Sequence, residues 1–160
     1  MAEMRAAQSL MRATGEGERR WFFGGGIHTW KATAEETNGA FLLFEDRMAH
    51  GKVTPLHTHP DSDETMIVVR GSILMHLDGA NHVVEAGGVA VAPRGVPHAF
   101  KVDAPDGAHV LCLHTPGCCQ AFYWDASEPA GTGTGVVDMD RVRESAARNG
   151  GIEILGPPPF

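Results

Sequence analysis

The chain reads as an all-β protein, a sandwich or barrel built from many short strands. Three observations predict this. Twenty glycines and ten prolines break the 160 residues into short segments. Between the breaks, apolar and polar residues alternate, so each segment presents one apolar face. Helix signals are nearly absent before residue 137.

The elements follow in order. Residues 1–20 are expected to be an N-terminal arm. Within it Met4, Ala7, Leu10 and Met11 suit a short amphipathic turn or a frayed end. Charges recur throughout this stretch and no continuous apolar run appears, so it does not read as a signal peptide. Residues 21–128 are expected to hold the β-structure. There Ile73, Met75 and Leu77 alternate with Ser72, Leu74, His76 and Asp78. Asp78-Gly79-Ala80-Asn81 reads as a hairpin loop. Val89 and Val91 precede a Pro93-Arg94-Gly95 turn. His98, Phe100 and Val102 share one face, and Val110 to His114 form another short run.

Residues 129–160 read as a linker, a short helix and a docking tail. Glu128 to Gly135 is a Gly-rich spacer. Asp138 and Asp140 suit a helix start and Gly150-Gly151 its end. Glu144 and Arg148 stand four apart in the favourable orientation. Ile152 and Leu155, ahead of Pro157 to Pro159, suggest a tail that packs on the β-structure.

Composition narrows the function classes. The formal net charge is −7 with His neutral, and no segment concentrates Lys and Arg, which argues against a nucleic-acid partner. No apolar run has the length of a bilayer span. Of the three cysteines, Cys118 and Cys119 are adjacent and cannot pair without strain, which suits a reducing cytoplasm. His114 with Cys118 and Cys119 forms a second possible metal cluster, but no further ligand pair supports it.

The chemistry-bearing pattern lies in residues 51–71, G-KVTPL-H-T-H-PDSD-E-TMIVVR-G. His57 and His59 stand two apart, so on a strand both imidazoles enter one space. After the polar turn Pro60 to Asp63, Glu64 opens an apolar strand with Met66 and Val68 on its side. A strand, the Pro93-Arg94-Gly95 turn and a return then bring in His98. One wall is expected to offer three ligands and another the fourth. Three imidazoles and one carboxylate suit a single divalent transition metal: Fe, Ni, Mn, Co or Zn. The remaining histidines lack this spacing. His28 and His109 have no partner, His76 and His82 read as exposed, and His114 reads as structural or as a cavity liner.

Residues 51–71 match the first cupin motif, G-x5-H-x-H-x4-E-x6-G, and residues 87–98 match the second, G-x5-P-x-G-x2-H. The customary Asn four residues beyond the second motif is Val102 here. TAEETNGAFLLFED, APRGVPHAF and ILGPPP add a likeness to single-domain cupins similar to bacterial quercetin 2,3-dioxygenases. This resemblance implies a cupin jelly-roll β-barrel with a short C-terminal helix and tail. It implies one divalent metal on His57, His59, Glu64 and His98, with Glu64 also the base toward a substrate hydroxyl. The activity implied is oxygen-dependent chemistry on a small phenolic or enolisable aromatic molecule. An oxygen-independent isomerase or cyclase, or a small-molecule-binding cupin, would use the same cage. Phe41, Phe44, Met66, Met75, Phe100 and Cys112 are candidate pocket residues. A homodimer is expected, with Trp21, Phe22 and Phe23 placed either to cross to a partner or to pack within one chain.

Overall fold

Short turns and a period-2 pattern of burial set the course of the chain. In the computed structural model, which describes residues 7–131 and 137–160, the N-terminal half runs β1 (Glu18–Phe22), β2 (Gly26–Ala32), β3 (Leu42–Met48), β4 (Leu56–Thr58), β5 (Asp63–Arg70) and β6 (Ser72–Leu77). The C-terminal half continues with β7 (Ala80–Glu85), β8 (Val89–Ala92), β9 (His98–Lys101), β10 (Ala108–Thr115), α1 (Gln120–Asp125), β11 (Glu128–Pro129), α2 (Met139–Asn149) and β12 (Glu153–Gly156). Met4, part of the supposed N-terminal turn, and the latter part of the Gly-rich spacer lie outside the described residues. Residues 7–13 form no helix.

Two antiparallel sheets face each other. One is ordered β11-β1-β2-β3-β10-β5-β8 and the other β12-β4-β9-β6-β7, the jelly-roll arrangement expected of the sequence. Alternation decides what each sheet turns inward. Glu64, Met66 and Val68 of β5 are buried, as are Leu42, Phe44, Asp46 and Met48 of β3 and Ala108, Val110, Cys112 and His114 of β10. Ile73, Met75 and Phe100 close the core from the second sheet.

The hairpin loop between β6 and β7 is shorter than expected. Asp78 and Gly79 alone make it, both at positive φ (53° and 75°), the backbone a two-residue type I′ hairpin requires. Ala80 and Asn81 already pair with Leu77 and His76.

Helix α1 overturns the expectation of no helix before residue 137. Its sequence, QAFYWD, has weak intrinsic helix preference and its N-cap makes no side-chain bond. Packing sustains it instead, through the buried Phe122 and Tyr123. Helix α2 behaves as its caps suggest, with the Asp138 carboxylate accepting from Arg141 N–H and Gly150 at its C-cap. Arg148, however, reaches across to Asp125 (2.6 Å) rather than along the helix to Glu144. The tail pairs as β12 with β4, and Ile152 and Ile154 pack on the core, whereas Leu155 is exposed.

Candidate metal centre

Three side chains on strands and a fourth just past a strand end converge. His57 on β4 and His98 on β9 are direct cross-strand partners in one sheet. Glu64 comes from β5 in the opposite sheet, and His59 follows β4. The expectation that one wall supplies three ligands and another the fourth is therefore corrected. The turn Pro60 to Ser62 carries the chain from one sheet to the other, so Glu64 faces the histidines instead of standing beside them. One ligand atom from each of the four lies within 4.8 Å of every other, and all four residues are buried. This group could hold a metal ion.

Each imidazole is oriented by a backbone carbonyl. Nδ1 of His57 lies 2.8 Å from Pro55 O, that of His98 2.9 Å from Val96 O, and that of His59 2.7 Å from Gly151 O. A carbonyl only accepts, so each Nδ1 carries a hydrogen and each Nε2 points inward, where it can ligate once it holds no proton. His98 Nε2 approaches Glu64 Oε2 at 2.7 Å. His59 Nε2 stands 3.2 Å from the same oxygen but makes no hydrogen bond. A buried nitrogen without a partner, two further inward nitrogens and a carboxylate form a donor set that fits a divalent transition ion.

Electrostatics gives His57 and Glu64 their ligating forms. At His98 burial lowers the pKa, but the hydrogen bond and charge of Glu64 outweigh it and raise it above the ordinary value, so a metal would displace its Nε2 proton. Burial, reinforced by His98 and His59, pushes the His57 pKa down to about 3, so this imidazole is neutral near pH 7. Burial alone would raise Glu64, but the close imidazoles of His59 and His98 outweigh it and hold the carboxyl well below its ordinary range. Oε1 of Glu64 makes no hydrogen bond among the described residues; its near neighbour is His114 Nε2 at 3.9 Å.

His114 is the first residue whose place the sequence left open. It pairs with Glu64 across β10 and β5, is fully buried, and neither ring nitrogen has a partner. Burial takes its pKa down to about 3. It does not gather with Cys118 and Cys119: Cys118 is exposed, with Sγ 3.2 Å from Ser62 Oγ.

A cavity of about 50 Å³ opens beside two of the four residues, His57 and Glu64. Of the sequence-derived pocket residues, Phe44, Phe100 and Cys112 line it, while Phe41, Met66 and Met75 do not. It also holds residues the sequence did not nominate: His28, Asp46, Lys52 and Tyr123. The period-2 pattern of Leu42, Phe44, Asp46 and Met48 does place Asp46 inward. Nothing local marks Lys52, because a lysine in an extended segment ordinarily points to solvent. At Val102 the customary asparagine's place is filled by a buried side chain, and its backbone bonds Gly51 and Lys52 (2.9 and 2.8 Å).

The comparisons agree with this geometry. The Cupin_2 family model, described as a cupin domain, matches residues 44–114. A quercetin 2,3-dioxygenase of Bacillus subtilis is 33 % identical over 95 residues, which are 59 % of this chain and 28 % of the relative. The chain thus spans well under half the length of that curated relative. Two solved structures share the fold. One is KdgF from Halomonas (21 % identity, TM-score 0.59, covering 68 % of this chain and 94 % of that one). The other is a predicted oxalate decarboxylase from Thermotoga maritima (19 % identity, TM-score 0.60, covering 68 % and 99 %). Facing sheets, both motifs at full spacing and the family model matched over residues 44–114 make this chain similar to the cupins, and among them to a quercetin 2,3-dioxygenase.

Proposed function

We propose that this chain is a cupin and a metal-dependent dioxygenase acting on a small phenolic or enolisable molecule. His57, His59, Glu64 and His98 would hold one divalent transition metal: Fe, Ni, Mn, Co or Zn. Bound there, the ion would supply Lewis acidity that lowers the pKa of a substrate hydroxyl. The observation that carries the reading is the split role of Glu64. Its Oε2 is turned to the imidazoles, while Oε1 has no hydrogen bond on the cavity-lining residue. That oxygen is the base that takes the hydroxyl proton. Phe44, Phe100, Cys112 and Phe122 exclude water around it.

Size narrows the substrate class. A cavity of about 50 Å³ is far below the roughly 300–1,000 Å³ of typical small-molecule sites. This favours a single-ring or smaller compound over a flavonol, with Phe23, Met139 and Ile152 of the cavity wall yielding on entry. All three cysteines are free, which supports a reducing, cytoplasmic setting.

The test is oxygen uptake by protein loaded with each metal, over a panel of flavonols and single-ring enolisable phenols. Glu64→Gln should keep its metal, because three imidazoles remain, yet lose about two to four orders of magnitude in turnover. Unchanged turnover in the loaded variant removes Glu64 from the role of base. A panel that binds without consuming oxygen replaces the dioxygenase by an isomerase or a binding protein.

A further inference from the structure

The cavity has a second polar end, away from the four convergent side chains. Glu64 pairs with His114, and His114 with Leu42. Asp46 lies four residues further along β3, paired with Val110 and with His28. Between these rungs stands the apolar rung of Phe44, Cys112 and Met66. The two ends are thus about 13 Å apart along the strand, a gap that the Glu64 and Lys52 side chains narrow from either side. An aromatic ring with substituents at opposite ends would span the two ends once the cavity wall yields.

The second end is built from buried, incompletely satisfied groups. Lys52 Nζ is 3.2 Å from Asp46 Oδ2, and this is its one hydrogen bond among the described residues. Two of its three N–H donors are therefore unused. Nζ stands 5.4 Å from the Phe22 ring centre and 5.9 Å from that of Phe100, both walls of the cavity. His28 Nε2 lies 3.4 Å from Asp46 Oδ2, and its ring is stacked between Phe22 and Phe44 at 4.6 and 4.2 Å. His28 Nδ1 and Asp46 Oδ1 are buried without partners. Gly26 makes room for the pair, since a Cβ there would meet Lys52 Nζ at 2.6 Å and Asp46 Oδ1 at 2.8 Å. Desolvating an ammonium and a carboxylate costs several kcal/mol per ion, and a purely structural pair would not leave this many donors and acceptors idle.

We propose that Lys52, Asp46 and His28 form a recognition site for a hydroxyl group at the far end of the substrate. A hydroxyl accepts from Lys52 and donates to Asp46 Oδ1 or His28 Nδ1, so one group satisfies both kinds of idle atom. The ammonium is already neutralised by Asp46 and His28 is uncharged, so a neutral hydroxyl matches the site and a second carboxylate does not. These three are positioning residues: they fix which end of an aromatic ring meets Glu64. The inference rests on the reading of the Glu64 end as the reacting end.

The test uses binding rather than turnover. Cobalt-loaded protein is titrated, by its visible absorption and without oxygen, with phenylpyruvate and with 4-hydroxyphenylpyruvate. These enolisable probes are identical at the reacting end and differ by one distal hydroxyl. Wild type should bind the hydroxylated probe about ten-fold more tightly or better, as for a buried hydrogen bond to a charged group. Lys52→Met should bring the ratio close to one, with cobalt content and phenylpyruvate affinity unchanged. His28→Phe, which keeps the aromatic stack, should cut the preference several-fold and serves if the lysine variant does not fold. Equal affinities in wild type, a preference that survives Lys52→Met, or failure of both probes to bind overturns the proposal. Retained preference without oxygen consumption on any substrate sinks the dioxygenase reading alone. Oxygen consumption without the preference sinks this one alone.

Discussion

His57, His59 and His98 are each held by one hydrogen bond from Nδ1 to a main-chain oxygen, so their Nε2 atoms face inward before any ion arrives. That arrangement makes each imidazole hard to replace. His57→Ala or His98→Ala should lower metal affinity by more than the ~10–100-fold typical of losing an outer hydrogen-bond partner, measured by elemental analysis after dialysis against buffered metal. Wild type that stays empty through chelation and remetallation would show that the four residues are not a metal cage. His57 and His59 were legible from their spacing, since an i, i+2 pair on a strand must share a face, and His98 from the turn and return strand after Pro93. The roles of His28 and Lys52 were not. A lone histidine and a lone lysine acquire meaning only when another strand brings Asp46 within 3.4 Å of both.

Strand β12 and the segment before β1 show what single elements contribute. Pairing of β12 with β4 holds Gly151 O against His59, so the C-terminal tail orients one candidate ligand from 92 residues away in sequence. Deleting residues 153–160 should weaken metal binding about 10–100-fold while leaving the rest of the fold intact. Competition with a chromophoric chelator measures this, and an unchanged affinity would mean that the tail only covers the core. At the other end, Arg12 grips Glu36 with two bonds of 2.7 and 2.9 Å. This pair holds the Glu36 carboxyl down at about 2. A depressed carboxyl stabilises the fold above its unfolded value, near 4.3, and that contribution is lost as pH falls toward 2. Carboxyl ¹³C NMR should therefore show Glu36 titrating near pH 2, moving up toward 4.3 in Arg12→Ala. Titration at the ordinary value in wild type would mean that the pair does not persist in solution. The partial exposure of both side chains, 24 % and 35 %, keeps the energetic contribution small.

At the scale of the whole molecule, the outer face of β5 and β8 carries an apolar group. Ile67, Val69, Val89 and Val91 are 38–57 % exposed, because on β8 the alanines at 90 and 92 turn inward and the valines outward. Strand β8 also ends its sheet with a free edge. We propose that a second copy of the chain covers this face. Trp21 and Phe22 are engaged within their own chain: Trp21 Nε1 donates to Ala130 O at 3.1 Å and Phe22 packs on His28, Phe122 and Tyr123. Both residues therefore have the partners within the chain that the internal role requires. Light scattering at micromolar concentration should give twice the chain mass, and Val89→Lys with Val91→Lys should halve it. A monomeric wild type ends the proposal. Among the described residues, no helix is long and apolar enough to cross a membrane.

What the sequence determined by itself was whatever a short-range rule governs. Period-2 alternation named several strands between residues 57 and 114 and their inward faces. The caps at Asp138 and Gly150 bounded α2, and full motif spacing selected His57, His59, Glu64 and His98 from nine histidines and twenty acidic residues. Tertiary structure decided the rest. It made a helix of QAFYWD because burying Phe122 and Tyr123 outweighs weak local preference. It set Glu64 across from the histidines rather than beside them, and it turned His28, Asp46 and Lys52 into one buried cluster. Each of these depends on residues from different strands meeting, and no local pattern encodes that meeting.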